Sequence, residues 1–287
     1  NYSSSFGIHS PIKEFSPGTA EDFINKNIAM DFYNSRTAAS GYLEPITTYD
    51  PSYRFKTNLE RENYENGFST DWYDLLTNKN IFIQNHNLSL SSNTDNINYF
   101  ISVGLTTDEG YMLNEDYQRY NARINVDNRI TNWLTMGVQS FFALSDNSGL
   151  DISTVARYRH PYDVGYDENG EMVLYPGAVT ISPLVQAYSA DDFDKRTSLF
   201  GNIYARIDFP FLKGLSYKIN LSNNAESTRN YTFKNYDVNF QGRGNKDYSN
   251  SNDMSSDNIL TFKREFAGGH SLDITLLYGF EKRKYDN

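Results

Sequence analysis

The chain has 287 residues and a formal net charge of −10, with 38% hydrophobic and 15% aromatic residues and a mean hydropathy of −0.64. The aromatic content excludes a disordered chain, and no apolar run approaches the about 20 residues of a membrane-crossing helix. The negative charge argues against nucleic acid as a partner, because phosphate binding needs a basic surface.

In chain order, Tyr2 to Ile8 reads as a weak first strand. Thr19 to Tyr33 reads as one amphipathic helix: Thr19 is its N-cap with Asp22 three residues on, and Phe23, Ile24, Ile28 and Phe32 share a face. Ile81 to Ser91 is a second weak strand. From Ile97 to Thr107 the alternation is clear, with Ile97, Tyr99, Ile101, Val103 and Leu105 on one face and Asn98, Phe100, Ser102, Gly104 and Thr106 on the other. Tyr120, Ala122, Ile124 and Val126 repeat it opposite Asn121, Arg123, Asn125 and Asp127. Leu134, Met136, Val138, Ser140, Phe142 and Leu144 form the next apolar set. Leu199, Ile203, Ala205, Ile207 and Phe209 follow, then Leu215, Tyr217, Ile219 and Leu221. A weak strand at Asn258 to Arg264 precedes a clear one carrying Leu272, Ile274, Leu276, Tyr278 and Phe280.

Strands this long exceed the usual globular 5 or 6 residues. A strand of about 11 residues, tilted near 45°, crosses the apolar band of about 25 Å on an outer-membrane barrel. A β-sandwich gives the same alternation with shorter strands, so periodicity leaves both open. The connections favour the barrel, because they alternate long and short. His9 to Asn80, Asp108 to Gln118, Ser145 to Lys195 and Asn223 to Met254 are long or medium. Ser92 to Asn96, Asn128 to Asn132, Pro210 to Lys213 and Glu265 to Gly269 are short. Up-and-down barrels place short turns on the periplasmic side and long loops outside. The predicted fold class is therefore all-β: an antiparallel transmembrane barrel. Residues 1–287 are one partial domain of about nine strands. Nine is odd, so the edge strands are expected to pair with protein outside this sequence.

Particular segments carry a family likeness. Thr70-Asp71-Trp72-Tyr73-Asp74-Leu75-Leu76 is followed by Gln84-Asn85-His86-Asn87-Leu88-Ser89-Leu90-Ser91, then by Asn98-Tyr99-Phe100-Ile101-Ser102-Val103-Gly104 and Asp108-Glu109-Gly110. Tyr117-Gln118-Arg119-Tyr120-Asn121-Ala122-Arg123-Ile124-Asn125, Trp133 to Val138, Phe266 to His270 and Leu277-Tyr278-Gly279-Phe280-Glu281 continue it. In order and spacing these resemble the SusC/RagA-type TonB-dependent outer-membrane transporters of Bacteroidota. The resemblance implies a barrel of about 22 strands with a plug inside and a TonB-gripped upstream segment. It also implies a SusD-like surface lipoprotein as a lid. Plug, TonB-binding segment and the remaining strands are expected outside this sequence, which matches the first part of the barrel.

For sites, the loop aromatics are the ligand candidates: Tyr158, Tyr162, Tyr166, Tyr175 and Tyr188 in one loop, and Tyr231, Phe233, Tyr236 and Phe240 in another. Sugar C–H faces stack on such rings; the competing role is packing within the loops. Asp167-Glu168-Asn169-Gly170-Glu171 suits calcium less well than a hairpin, with Asn169-Gly170 as a type I′ turn. Asp191-Asp192-Phe193-Asp194 reads as a solvated loop end rather than a glycosidase acid pair. Trp133, Tyr99 and Tyr278 suit interfacial or lipid-facing positions. No metal site or cofactor is predicted: cysteine is absent, and His9, His86, His160 and His270 are scattered without ligand spacing. With no nucleophile motif, no enzymatic activity is expected.

The expected function is part of an outer-membrane, TonB-dependent importer of oligosaccharides or peptides. Its expected partners are the SusD-like lipoprotein, the rest of the barrel with its plug, TonB and membrane lipid. The alternative is a soluble or surface-attached β-rich carbohydrate-binding or adhesion module; within transport, a siderophore or vitamin importer is the runner-up.

Overall fold

A computed structural model describes residues 1–10, 18–34, 54–149, 151–177, 180–234 and 242–287. The strands are β1 (Tyr2–His9), β2 (Ile81–Asn93), β3 (Ile97–Glu109), β4 (Asp116–Arg129), β5 (Leu134–Asp146), β6 (Ala190–Asp208), β7 (Leu215–Lys234), β8 (Arg243–Phe266) and β9 (His270–Asp286). The helices are α1 (Ala20–Asn34), α2 (Asn58–Glu65), α3 (Trp72–Leu76), α4 (Ser153–Arg157) and α5 (Pro183–Ser189). None of the described helices is long and apolar enough to cross a membrane.

All nine strands form one antiparallel sheet in sequence order, from β1 at one edge to β9 at the other. The sheet is open: among the described residues β1 pairs with β2 and β9 with β8, not with each other. Register carries the alternation across strands. Tyr99, Val126, Val138, Ile203 and Leu221 are successive partners on one face. Phe100, Asn125, Gln139, Asn202 and Ser222 are partners on the other. The apolar face is uncovered, with Leu90 60%, Ile203 53% and Leu276 61% exposed. Water would not tolerate an apolar surface of that extent, and lipid requires one.

The polar face is cross-linked by side chains. Tyr204 Oη donates to Asp127 Oδ1 at 2.6 Å, and Ser222 Oγ donates to Asn202 Oδ1 at 3.0 Å. Arg123 lies over the Phe141 ring at 5.6 Å. Gly137 sits between Asp127 and Tyr204 in register. A Cβ there would lie 2.2 Å from Tyr204 Cε1, so the ring crosses where glycine leaves room. At the short-turn end, Gly214 has φ 98°, and a Cβ would lie 2.0 Å from the Lys263 carbonyl oxygen.

Two expectations are corrected. The segment Asn223 to Met254, read as a long loop, is mostly strand: β7 runs to Lys234 and β8 starts at Arg243. Likewise β6 begins at Ala190, so Asp191 to Asp194 lie in a strand and not at a loop end. There Asp192 accepts from Thr232 Oγ1 at 2.8 Å and from the Gly149 N–H at 3.2 Å. The 24 residues of β8 extend about 80 Å at roughly 3.3 Å per residue. That is far more than the band of about 25 Å needs, so β6–β8 stand well clear of it at the long-loop end. Those extensions carry polar residues on both faces, because neither face meets lipid, and so show no alternation to read.

Candidate functional site

The long-loop end of the sheet carries a folded cap built from the β1–β2, β3–β4 and β5–β6 connections. Its core is Trp72, Leu76, Met112, Ile152, Ala156, Leu184 and Ala187. Each local element has a cause. Thr19 caps α1 as predicted: its Oγ1 accepts from the Asp22 N–H at 3.1 Å, and Asp22 Oδ2 accepts from the Thr19 N–H at 3.0 Å. In α2, Thr57 and Glu60 form a reciprocal capping box. Asp71 caps α3 by accepting the Tyr73 and Asp74 N–H groups at 3.0 Å each. The motif Thr70 to Leu76 then ties two connections together. Thr70 N–H donates to the Pro161 carbonyl at 2.8 Å, Trp72 Nε1 to the His160 carbonyl at 3.1 Å, and Thr70 Oγ1 to the Asp163 carbonyl at 2.6 Å.

Beside this core lies an aromatic cluster. Phe23 meets His160 edge-on at 4.1 Å between centroids, and Tyr162 meets Tyr64 at 5.4 Å and Phe55 at 5.7 Å. Below it Glu60, Arg159 and Asp163 are buried and His160 is half-buried. Burial, together with the adjoining Glu60 carboxyl, pushes the Asp163 carboxyl up to about 7, against the opposing pull of Arg159. Burial also pushes the His160 imidazole down, favouring its neutral form. Sequence spacing concealed this group, because Glu60 and His160 are 100 positions apart (160 less 60). The local signal that was present is Thr57-Asn58-Leu59-Glu60, a capping-box pattern.

The predicted ligand residues are dispersed. Tyr158 is 79% exposed on the cap, Tyr166 and Tyr188 are also exposed, and Tyr175 is half-buried. Tyr162 is 4% exposed within the aromatic cluster. Tyr231 and Phe233 lie on β7, not in a loop, on the face shared with Ile203 and Leu221. Tyr231 stacks on Phe193 at 5.4 Å and 13°. Tyr236 and Phe240 lie outside the described residues. The hairpin at Asp167 to Glu171 is present, with Tyr166 bridged to Met172. Its turn is not type I′, because Gly170 (φ 81°) and not Asn169 is left-handed. Asp167 Oδ1 accepts the Asn169 and Glu171 N–H groups at 2.8 and 2.9 Å, which accounts for the acidic residue at its start.

No protein-family model matches the chain. The TonB-dependent receptor P3 of Formosa agariphila is 28% identical in a match covering 79% of this chain and 24% of that protein. The chain is similar to this one TonB-dependent receptor. Among solved structures, the RagAB peptide transporter and the RagAB peptide importer in its "closed-closed" and "open-open" states match equally. Each has a TM-score of 0.68 and 20% identity over 99% of this chain and 34% of the matched chain. That likeness shows the fold, a segment of a RagA-type barrel. The chain therefore spans about a quarter of this receptor relative's length and a third of the solved chains'.

Proposed function

We propose that this chain forms part of the wall of a TonB-dependent importer in the outer membrane, taking up oligosaccharides or peptides. The observation that carries the reading is the two-faced sheet: a continuous, uncovered apolar face backed by a face of Asn, Gln, Ser, Arg and Tyr side chains. The first suits lipid and the second a hydrated lumen. In this reading β1 and β9 pair with further strands of the same barrel, because a backbone edge left open in lipid costs several kcal/mol per unpaired group. A plug fills the lumen, and TonB acts through a region beyond these residues.

The cap and the extensions of β6–β8 then face the cell exterior, and a SusD-like lipoprotein sits over them. Tyr158, Tyr166 and Tyr188 are the exposed rings available there for cargo or lid. No bond is made or broken; the protein supplies a gated path. Cell fractionation tests the reading against the binding-module alternative. The importer stays with the outer membrane through a carbonate wash and needs detergent for release. Recovery in the soluble fraction would overturn it.

A further inference from the structure

The cluster beneath the aromatic rings has a feature that packing does not explain. Glu60 Oε2 accepts the Lys56 and Thr57 N–H groups at 2.5 and 3.2 Å. Its other oxygen, Oε1, is buried without a hydrogen-bond partner. Asp163 turns Oδ2 toward Arg159 Nη1 at 3.8 Å and leaves Oδ1 buried with no donor; the adjoining Glu60 carboxyl can bond to Asp163 only through a proton shared between the two. His160 Nε2 is a third buried, unpartnered atom. The side chains of Glu60 and Asp163 are almost wholly buried, with residue exposures of 1% and 2%. Each of the three residues offers one ligand atom within 4.8 Å of the others. Buried polar atoms in native proteins have partners as a rule, and where several converge without one, an ion or water between them is the first explanation.

We infer that Glu60, His160 and Asp163 form a binding site for one divalent transition-metal ion of the zinc class. One imidazole nitrogen and two carboxylate oxygens make a borderline donor set that suits zinc better than calcium or magnesium, which take oxygen alone. Tetrahedral zinc with bonds of about 2.1 Å holds its ligands about 3.4 Å apart. The ligand atoms, within 4.8 Å of one another, would have to draw closer to take up that spacing. Two buried carboxyls face the buried Arg159, whose guanidinium also donates to the Thr180 carbonyl at 3.3 Å and to the Thr180 hydroxyl, and Lys56 lies exposed at the cavity's rim. The Tyr162 N–H approaches His160 Nδ1 at 3.3 Å. Ligation through Nε2 moves the ring proton to Nδ1 and gives up that long contact. A cavity of about 240 Å³, bordered by Phe23, Lys56, Glu60, His160 and Asp163, gives the ion access and room for a water as fourth ligand.

The ligands come from two connections, α2 with its capping box and the segment after α4. The ion would therefore staple the β1–β2 connection to the β5–β6 connection. The test uses the full-length receptor containing this chain, purified in detergent, stripped with EDTA and titrated with zinc chloride. The expected result is one zinc per chain by elemental analysis, beyond what the His86→Asn, His160→Gln double variant binds. Glu60→Gln and His160→Gln should each weaken binding at least tenfold, and His86→Asn, on β2, should leave it unchanged. Glutamine at 60 keeps an oxygen for the capping N–H groups, and unchanged strand circular dichroism establishes that each variant is folded. Zinc should also slow protease cleavage of the cap in the wild type and not in His160→Gln. Equal zinc binding by wild type and His160→Gln would overturn the site. So would a cap whose protease resistance ignores zinc and rises only as pH falls, which would assign the pocket to a shared proton.

Discussion

Val138 and Gln139 are consecutive residues of β5 that point to opposite faces, and both are exposed. Val138 lies between Val126 and Ile203 on the apolar face; Gln139 lies between Asn125 and Asn202 on the polar face. Arginine at either position adds the same charge and volume at the same depth, so the pair isolates the effect of the face. Val138 is the fifth residue of a strand that begins at Leu134. Four steps of roughly 3.3 Å on a strand tilted near 45° place it about 9 Å from the turn end, within reach of the middle of a band about 25 Å high. Arginine on the lipid face near the midplane costs about 2–4 kcal/mol, and nearer the interface about 0–1. We therefore expect Val138→Arg to destabilise by about 2–3 kcal/mol and Gln139→Arg by less than about 1 kcal/mol. Urea titration of the membrane-inserted protein in phospholipid vesicles, read by heat-modifiable mobility, measures both. Equal costs, or a larger cost at Gln139, would refute the assignment of faces.

Three further outcomes are expected. Gly137→Val drives a side chain into the Tyr204 ring and Asp127, and overpacking of this kind costs about 1–3 kcal/mol; if Gly137→Val is as stable as the wild type in the same titration, the ring does not cross there. Trp72→Ala removes the centre of the cap core, and loss of a buried Trp costs about 3–5 kcal/mol. Limited proteolysis should show the cap opening while strand circular dichroism stays unchanged, and loss of the strands as well would mean that the cap and sheet fold as one unit. On intact cells, protease should cut near Asn169 in the cap hairpin and spare the turns at Asn132, Lys213 and Gly268; the reverse pattern would invert the topology.

The sheet was legible where its surroundings are two-sided. Between Ile97 and Leu144 lipid on one face and polar side chains on the other impose period two, and the predicted strands lie within β3, β4 and β5. Above the band that constraint ends. Residues such as Ser227, Thr228, Asn230 and Asn250 are held in strands by cross-strand pairing, and pairing leaves no mark in a single sequence. The cap was legible only in part. Thr19 and Asp22 declare the start of α1, whereas α4 and α5, with five and seven residues, are too short to show a helical period. Tyr162 shows why loop aromatics are ambiguous: in sequence it is indistinguishable from exposed Tyr158, and the difference lies in Phe23, Phe55 and Tyr64 from a distant connection. The convergence of Glu60 with His160 and Asp163 is likewise a product of the folded cap.

The central claim is that one face of this sheet meets lipid and the other a hydrated lumen. Spin labels placed one at a time along β5, from Leu134 to Asp146, test it by collision with oxygen, which concentrates in lipid, and with a water-soluble nickel chelate. A period of two is expected, with oxygen accessibility highest at Met136, Val138 and Phe142 and nickel accessibility highest at Thr135 and Gln139. Uniform access of the nickel reagent to both sets would contradict it and return the sheet to water.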